Sequence, residues 1–415
     1  MSKQQLNMYS AMRSTFHEQE ELTIRSMQEY GYKYNHWVFA WSGGKDSSAT
    51  LTYILYLIES NQIKAPKEIT VLLADTRLEL LPLWFSAMKI IDKLKDKGIN
   101  VKIVMSPLDD RFFVYMFGKG VPPPSNTFRW CTPKLKIDPM MNELQSLYEK
   151  KKEKFLLITG VRQGESAQRD GRIAMSCGKD GAECGQGWYQ LTAPDEICDK
   201  LAPILHWRVC SVWDWLKVFA PQEKYGGWPT TAIADSYGGD EAEEKNARTG
   251  CVGCNLASKD VSLMLTVKNP YWAYLSPLLR LRFIYSELKK PKNRLRKTTT
   301  QLKKDGSLAK NQNRMGPITF EARLWGLSQI KEIENDINII ALAEGKPTIS
   351  LINDEEENRI LELIKNETWP KGWDGTEETG DKPFLQRFSD GSVQADLFYL
   401  YNGEWEDLPI TEYEN

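Results

Sequence analysis

The sequence is poor in histidine, and this scarcity limits the metal chemistry that the chain can support. Only three histidines, His17, His36 and His206, occur among the 415 residues. A metal site built by this chain would therefore depend mainly on cysteine thiolates as ligands.

Long apolar runs are also absent. No stretch approaches the roughly 18 apolar residues of a membrane-spanning helix, and no apolar stretch follows a basic start, so we expect neither a membrane span nor a signal peptide. Seven cysteines, an odd number without a secretory signal, argue against a disulfide scaffold. Hydrophobic content of 41% and charged content of 27% fit an ordinary globular protein. We therefore expect a cytoplasmic protein.

One glycine-rich stretch organises the rest of the chain. The apolar run 37–41 predicts a buried strand, and apolar residues at helical spacing begin at Leu51. Between them lies the sequence Ser42-Gly43-Gly44-Lys45-Asp46-Ser47. A strand, a glycine turn and a helix N-terminus bring free N–H groups together, and this arrangement is suited to phosphate. The spacing is not that of a Walker A loop. The alternative, a tight turn capped by serines, does not account for the lysine.

Further strands alternate with helices. Strands are predicted at Glu68–Asp75, Asn100–Met105 and Lys154–Thr159, which indicates an α/β fold with a doubly wound parallel sheet. Ligands of such sheets bind at the C-terminal ends of the strands. Asp75 lies at one of these ends, where it could accept a hydrogen bond from a ribose or help to hold Mg²⁺. Capping of the following helix is the alternative role for Asp75.

A second polar motif, Gly160-Val-Arg-Gln-Gly-Glu-Ser-Ala-Gln-Arg169, follows the fourth strand directly. Arg162 and Arg169 can bind phosphate or sulfate oxygens, and Glu165 can orient one of them. A surface salt-bridge cluster is the alternative interpretation of this charged run.

The alternation of strands and helices stops near Ser258. We expect an N-terminal helical segment at 1–36, an α/β domain at 37–265 and a mainly helical C-terminal domain at 266–415. Within the last, segment 280–314 has twelve lysines and arginines against two acidic residues, a balance suited to a nucleic-acid backbone. A solvated helix face is the alternative.

The glycine-rich stretch 42–47 resembles the pyrophosphate loop of the ATP-pyrophosphatase and phosphoadenylylsulfate (PAPS)-reductase superfamily. The segment 160–169 resembles the second motif of the same superfamily. The resemblance implies a Rossmann-like fold of the adenine nucleotide alpha hydrolase type, with catalytic roles for Lys45, Asp46, Arg162 and Arg169. It also implies that ATP and Mg²⁺ are bound by Ser42, Gly43, Gly44, Lys45, Asp46, Ser47, Asp75, Gly160, Arg162, Glu165 and Ser166.

The cysteines carry a further resemblance. Taken alone, Cys251-Val-Gly-Cys254 fits zinc, an iron–sulfur cluster, a redox dithiol or no site at all. Iron–sulfur reductases of PAPS hold a [4Fe–4S] cluster with a Cys-Cys pair and a distant C-x-x-C. Three ligands match, Cys131, Cys251 and Cys254, while Trp130 stands in the place of the fourth. Another cysteine would complete the cluster, or one iron would stay open; zinc is the alternative metal. The candidates for a fourth ligand are Cys177, Cys184, Cys198 and Cys210.

No cysteine occurs after Cys254. Reductases of this family attack PAPS with a cysteine near the C-terminus, so the resemblance favours ATP-dependent sulfur transfer. The chain resembles the DNA phosphorothioation sulfurtransferases, a PAPS-reductase-like branch that serves restriction–modification defence. This implies that ATP adenylates a DNA backbone phosphate, that pyrophosphate leaves, and that sulfur then replaces oxygen.

The implied partners are DNA, bound through segment 280–314, a cysteine desulfurase as sulfur donor, and other phosphorothioation subunits; a homodimer stays open. Three alternative functions remain. They are a thiolase of tRNA or a small molecule, a PAPS or APS reductase, which the missing thiol disfavours, and a non-catalytic nucleotide-sensing subunit.

Overall fold

The computed structural model describes residues 15–165, 167–176, 182–183, 187–192, 196–239, 250–395, 398–401 and 404–407. The chain forms two compact units. The first unit contains Met1–Met105, Leu135–Val252 and Val261–Ala273, and the second contains Ser106–Lys134, Gly253–Asp260 and Tyr274–Asn415.

A seven-stranded sheet forms the centre of the first unit, in the order β3-β2-β1-β4-β7-β6-β5. The five strands from β3 to β7 run parallel, and β6 and β5 add an antiparallel edge. The predicted α/β fold with a mainly parallel, doubly wound sheet is confirmed. The strands are β1 (His36–Trp41), β2 (Glu68–Asp75), β3 (Asn100–Met105), β4 (Phe155–Thr159), β5 (Ala182–Glu183), β6 (Trp188–Gln190) and β7 (Cys198–Ala202).

Helices cover both faces of this sheet. On one face Val38 of β1 belongs to an apolar cluster with Leu144 and Leu147 of the helix Asp138–Lys151. On the other face the Trp41 indole donates to Ser48 Oγ, at 2.9 Å, at the start of the helix Lys45–Glu59. Successive residues of a strand point to opposite faces, so β1 is buried from both sides. Within the described residues, the other α-helices of the unit are Phe16–Tyr30, Leu81–Asp96, Ala167–Ser176, Val209–Asp214 and Val261–Thr266.

The order of the strands determines where a ligand is expected to bind along the sheet. Strand β1 lies between β2 and β4, with Ala40 of β1 in register with both Leu72 and Thr159. The chain leaves β1 toward β2 on one side, while β4 continues toward β7 on the other. This reversal is the point where open α/β sheets bind ligands, beyond the carboxyl ends of the strands. The loops after β1 and β4 both begin there.

The second unit is mainly helical, as predicted for the C-terminal region. Its helices are Leu281–Glu287, Phe320–Ala343 and Asp354–Lys365, with short antiparallel pairs such as Arg294–Arg296 with Met315–Ile318. Buried Arg323 holds the fold together by donating to the carbonyls of Ile318 and Gly118, at 2.9 and 3.2 Å. Across the part of the chain that the structure describes, no helix is both long and apolar enough to cross a lipid bilayer.

Candidate active site at the ends of strands β1 and β4

The loop after β1 is closed by its own serines. Ser47 Oγ accepts from the Ser42 N–H at 3.2 Å, lies 3.0 Å from Ser42 Oγ and donates to the Gly44 carbonyl at 3.1 Å. Gly43 has φ +71°, a conformation that side chains disfavour. These bonds fix the turn from which the helix Lys45–Glu59 starts. The predicted strand–loop–helix arrangement is therefore present.

Two cations share one carboxylate at this helix start. Asp46 Oδ2 lies 3.2 Å from Lys45 Nζ, and Asp46 Oδ1 accepts from Arg162 Nε at 2.5 Å. The side chains of Lys45, Asp46 and Arg162 are only 8%, 13% and 6% exposed. Two buried cations with one buried anion leave net positive charge, and the N-terminal helix dipole adds to it. Among the described residues, the N–H groups of Asp46 and Ser47 have no hydrogen-bond partner. The arrangement is suited to a phosphate chain.

Arg162 is also held by a backbone carbonyl of the segment after β7. Its Nη1 donates to the Trp207 carbonyl at 3.0 Å, so the guanidinium is fixed by β4, by the loop helix and by the segment after β7. A fixed planar guanidinium binds phosphate oxygens with little further loss of side-chain entropy. The structure thus brings Lys45, Asp46 and Arg162 together, although 116 residues separate Asp46 from Arg162.

The second motif contacts the first through a glycine. A Cβ atom at Gly160 would lie 2.6 Å from the Ser47 nitrogen and 2.7 Å from the Asp46 carbonyl carbon. These are backbone atoms, so no side chain could move aside to make room. Gly160 is therefore required for the two loops to approach, because any larger residue would displace the helix start.

Sequence reasoning did not find Tyr237. Its hydroxyl accepts from the Lys45 N–H at 3.2 Å, and Lys45 Nζ lies 4.9 Å from the centre of its ring. Trp213 supports that ring edge-to-face, with 5.2 Å between ring centroids. The buried Tyr237 ring therefore fixes the position of the lysine. The only local signal is an aromatic residue before two glycines, which is too common to indicate a site.

A cavity of about 910 Å³ opens at this edge of the sheet. That volume is sufficient for a nucleotide. Its lining includes Ser42, Gly44, Lys45, Asp46, Ser47, Gly160, Arg162, Glu165, His206, Arg208 and Tyr237. Most of the predicted binding residues therefore meet at one cavity.

Other predicted residues are not brought there. Asp75 does not belong to the lining that the structure describes; instead its carboxylate accepts from the Arg77 N–H at 2.7 Å, inside a turn where Arg77 has φ +60°. Glu79 lies close by, accepts from Thr76 Oγ1 at 2.6 Å, and has its pKa raised by burial. Asp75 thus stabilises a local turn.

Two predicted residues cannot be placed. Ser166 lies outside the described residues, and the side chain of Arg169 lies outside them too, although its backbone is part of the helix Ala167–Ser176. Their roles stay predictions.

The three matched cysteines do not form a described metal site. Among the residues that the structure describes, no three His, Cys, Asp or Glu side chains are placed to hold a metal ion. Cys251 belongs to the first unit, where its sulfur lies 3.9 Å from Thr76 Oγ1; Cys131 and Cys254 belong to the second. Burial, and then the field of Cys254, raises the pKa of Cys131. The ligand set of Cys131, Cys251 and Cys254 stays a prediction, and no reaction step is assigned to a cluster.

The candidates for a fourth ligand are not part of a described metal site either. Cys198 is buried within the sheet core, and burial raises its pKa to about 11. Cys177 and Cys184 lie outside the described residues.

Trp130, which stands where the reductases carry a cysteine, is a core residue of the second unit. It is 6% exposed, stacks on Phe112 with 5.3 Å between ring centroids, and donates to the Pro122 carbonyl at 3.0 Å. The Trp130 side chain therefore contributes to an aromatic core at this position.

Comparison with known proteins agrees with the site. Residues 36–219 match the family model described as the phosphoadenosine phosphosulfate reductase domain. This part of the chain is PAPS reductase-like. The match spans both motifs and supports the predicted superfamily.

A solved structure also matches part of this chain. It is phosphoadenylyl-sulfate reductase from Candida auris in a phosphate complex, with 12% identity and a TM-score of 0.29. The match covers 52% of this chain and 86% of that one. No curated protein matches the chain.

Proposed function

We propose that this protein is an ATP pyrophosphatase that activates a DNA backbone phosphate for sulfur transfer. The observation that carries the proposal is the buried set of Lys45, Asp46 and Arg162 beside the helix N-terminus, inside a cavity large enough for a nucleotide. The match to the PAPS reductase family supports nucleotide chemistry linked to sulfur.

The first step would be adenylation. A non-bridging oxygen of the acceptor phosphate attacks the α-phosphorus of ATP, the bond between that phosphorus and the α,β-bridging oxygen breaks, and pyrophosphate leaves. Negative charge develops on the leaving group, where Lys45, Arg162 and the N–H groups of Asp46 and Ser47 would stabilise it. Mg²⁺ bound with ATP would neutralise further charge. Tyr237 and Asp46 keep the two cations in position.

The second step would exchange oxygen for sulfur. Persulfide sulfur from a cysteine desulfurase is first reduced by a thiol to hydrosulfide, which leaves a disulfide between the donor cysteine and the thiol. The hydrosulfide then attacks the phosphorus of the activated acceptor. The bond from that phosphorus to the bridging oxygen breaks, AMP leaves with the oxygen, and the acceptor becomes a phosphorothioate. The hydrosulfide loses its one proton to solvent, so atoms and charge balance. We place this reaction in the cytoplasm, with other phosphorothioation subunits as partners.

The test is a pair of measurements on the full chain. Pyrophosphate release from ATP is followed with DNA, with RNA and without nucleic acid, and the DNA is then digested and analysed for phosphorothioate linkages by mass spectrometry. Pyrophosphate release stimulated by DNA supports the proposal. Stimulation by RNA alone would favour a thiolase of RNA, and no release under any condition would refute ATP activation.

A PAPS reductase is the second candidate, because the family model that matches is that of PAPS reductases. Sulfite release from PAPS with a dithiol reductant, measured on the same preparation, tests it. Metal content is measured in parallel, since iron with labile sulfide, or zinc, would decide the prediction for Cys131, Cys251 and Cys254.

A further inference from the structure

The basic segment 280–314 is less available to a partner than its composition indicates. Many of its cations are committed inside the second unit. Arg280 pairs with Glu332 and Asp336, Arg282 donates to the carbonyls of Cys254, Ala257 and Ser258, Lys290 pairs with Glu287, Arg296 donates to the Gly380 carbonyl, and Lys297 pairs with Glu377. These cations stabilise the fold, so nucleic-acid binding has to be assigned to the remaining ones.

Three of the segment's cations line a separate pocket of about 630 Å³ in the second unit. They are Lys289, Arg294 and Arg314, and no acidic residue belongs to the lining that the structure describes. Aromatic rings of Tyr115 and Phe128 and the indole of Trp373 line it as well. Uncompensated cations beside aromatic rings match the two parts of a nucleotide, its phosphate and its base.

The Arg294 guanidinium is held in one orientation by the backbone of the pocket. Its Nε and Nη2 both donate to the Gly316 carbonyl, at 2.9 and 2.6 Å, and among the described residues its Nη1 has no partner. Burial, and then the field of Arg296, lowers its pKa to about 10, so it stays protonated at neutral pH. Burial, and then the charges of Arg294 and Arg282, lowers the pKa of Lys289. An anion in the pocket would relieve this crowding of like charges.

Phe128 lines the same pocket and lies on a hydrogen-bonded turn. Its side chain is 47% exposed, yet its backbone is closed into a turn by two hydrogen bonds with Ser125, at 3.0 and 3.2 Å. An exposed aromatic ring beside cations is able to stack on a base.

We propose that this pocket binds one nucleotide of a single nucleic-acid strand. Lys289, Arg294 and Arg314 hold its phosphate, and Phe128 stacks on its base. A strand is preferred to a free nucleotide because exposed Lys303, Lys304 and Lys310 continue the positive charge outside the pocket, with no acidic partner among the described residues. The proposal goes beyond the sulfur chemistry and does not depend on it.

The experiment measures binding of a fluorescently labelled single-stranded oligonucleotide to the full chain, without ATP, across a series of salt concentrations. Lys289→Gln should weaken binding about tenfold and reduce the salt slope by up to about 0.7, because one of the cations that neutralise the strand's phosphate is lost. Phe128→Leu should weaken binding about tenfold and leave the salt slope unchanged, because stacking releases no counterions. This difference separates a phosphate contact from a base contact.

Lys365→Gln is the matched control, since it removes one exposed lysine charge from the same unit, outside the pocket. It should bind the oligonucleotide like the parent chain. An equal loss in Lys365→Gln, or no loss in Phe128→Leu, would overturn the pocket. A mononucleotide that competes as well as the strand would overturn the strand assignment. Thermal unfolding of each variant checks its fold, and exposed Phe128 keeps the test open if Lys289→Gln misfolds. Because ATP is absent, this outcome is independent of pyrophosphate release.

Discussion

Two pockets of the molecule, one in each unit, hold positive charge in different ways. In the first unit Lys45 and Arg162 share the Asp46 carboxylate, so the cations are fixed and partly neutralised before any ligand arrives. In the second unit Lys289 and Arg294 face a pocket whose described lining has no carboxylate. A compensated set of charges suits chemistry on a polyphosphate that must be released, whereas uncompensated cations suit retention of a strand. The predictions below test this difference.

The largest effect is expected from Asp46→Asn. This change removes the charge shared by two buried cations, and breaking a buried ion pair costs about 3–5 kcal/mol. The free energy of unfolding, measured with denaturant, should fall by about 3 kcal/mol or more. Added pyrophosphate should stabilise the variant more than the parent chain, since it replaces the missing anion. A variant as stable as the parent would show that the shared carboxylate does not compensate the cations.

Lys45→Ala should reduce pyrophosphate release from ATP by about 100-fold, because it removes a positioned cation from the leaving group. Steady-state release assays with saturating DNA measure the change. Lys150→Ala, which removes an exposed lysine from the helix Asp138–Lys151, serves as the control and should keep full activity. Equal rates for Lys45→Ala and the parent chain would remove the loop from the mechanism.

Salt should separate the two pockets. From about 50 to about 200 mM salt, neutralisation of the pocket phosphate and of two further phosphates beside exposed Lys303, Lys304 and Lys310 predicts a roughly twentyfold loss of oligonucleotide affinity. The affinity of the first unit for ATP should change less than about fivefold, because buried charges are screened less than exposed ones. Equilibrium titrations at both salt concentrations measure this. A similar dependence for both ligands would contradict the contrast between them.

The smallest effect at neutral pH concerns His36 of β1. It is buried, lies 2.9 Å from Thr70 Oγ1, and burial, followed by the charge of Lys151, lowers its pKa to about 4. The unfolded chain therefore binds the proton more readily between pH 4 and the ordinary pKa of about 6.5. The free energy of unfolding should be unaffected by His36 above pH 6.5 and fall as pH drops toward 4. Denaturant titrations of the parent chain and His36→Gln test this, since the variant should lose that part of the slope.

Much of the first site could be predicted from the sequence because its signals are local. Apolar runs that end at Gly43 and Gly160 predicted strands β1 and β4, and the structure confirms both. The close contact between Gly160 and the Asp46–Ser47 backbone follows from the position of these strands as neighbours. Tyr237 could not be predicted, since it reaches Lys45 across 192 residues from a stretch with no motif.

The basic segment shows the opposite case. Composition indicated one positive surface, but the structure divides it into cations that stabilise the fold, such as Arg282, and cations that line a pocket, such as Lys289. A charge count cannot make this division, because the partners of Arg282 are backbone carbonyls and those of Lys297 lie 80 residues away.

The sequence by itself determined the strand–loop–helix at Ser42–Ser47, the alternation of strands and helices, and the absence of a cysteine after Cys254. These properties depend on neighbouring residues and on hydrophobic periodicity, both of which act over short distances. Only the tertiary structure decided that Asp46 links Lys45 to Arg162, and that Trp130 is packed among aromatic rings. Such contacts depend on which strands become neighbours, and the free energy of burying distant residues together fixes that choice.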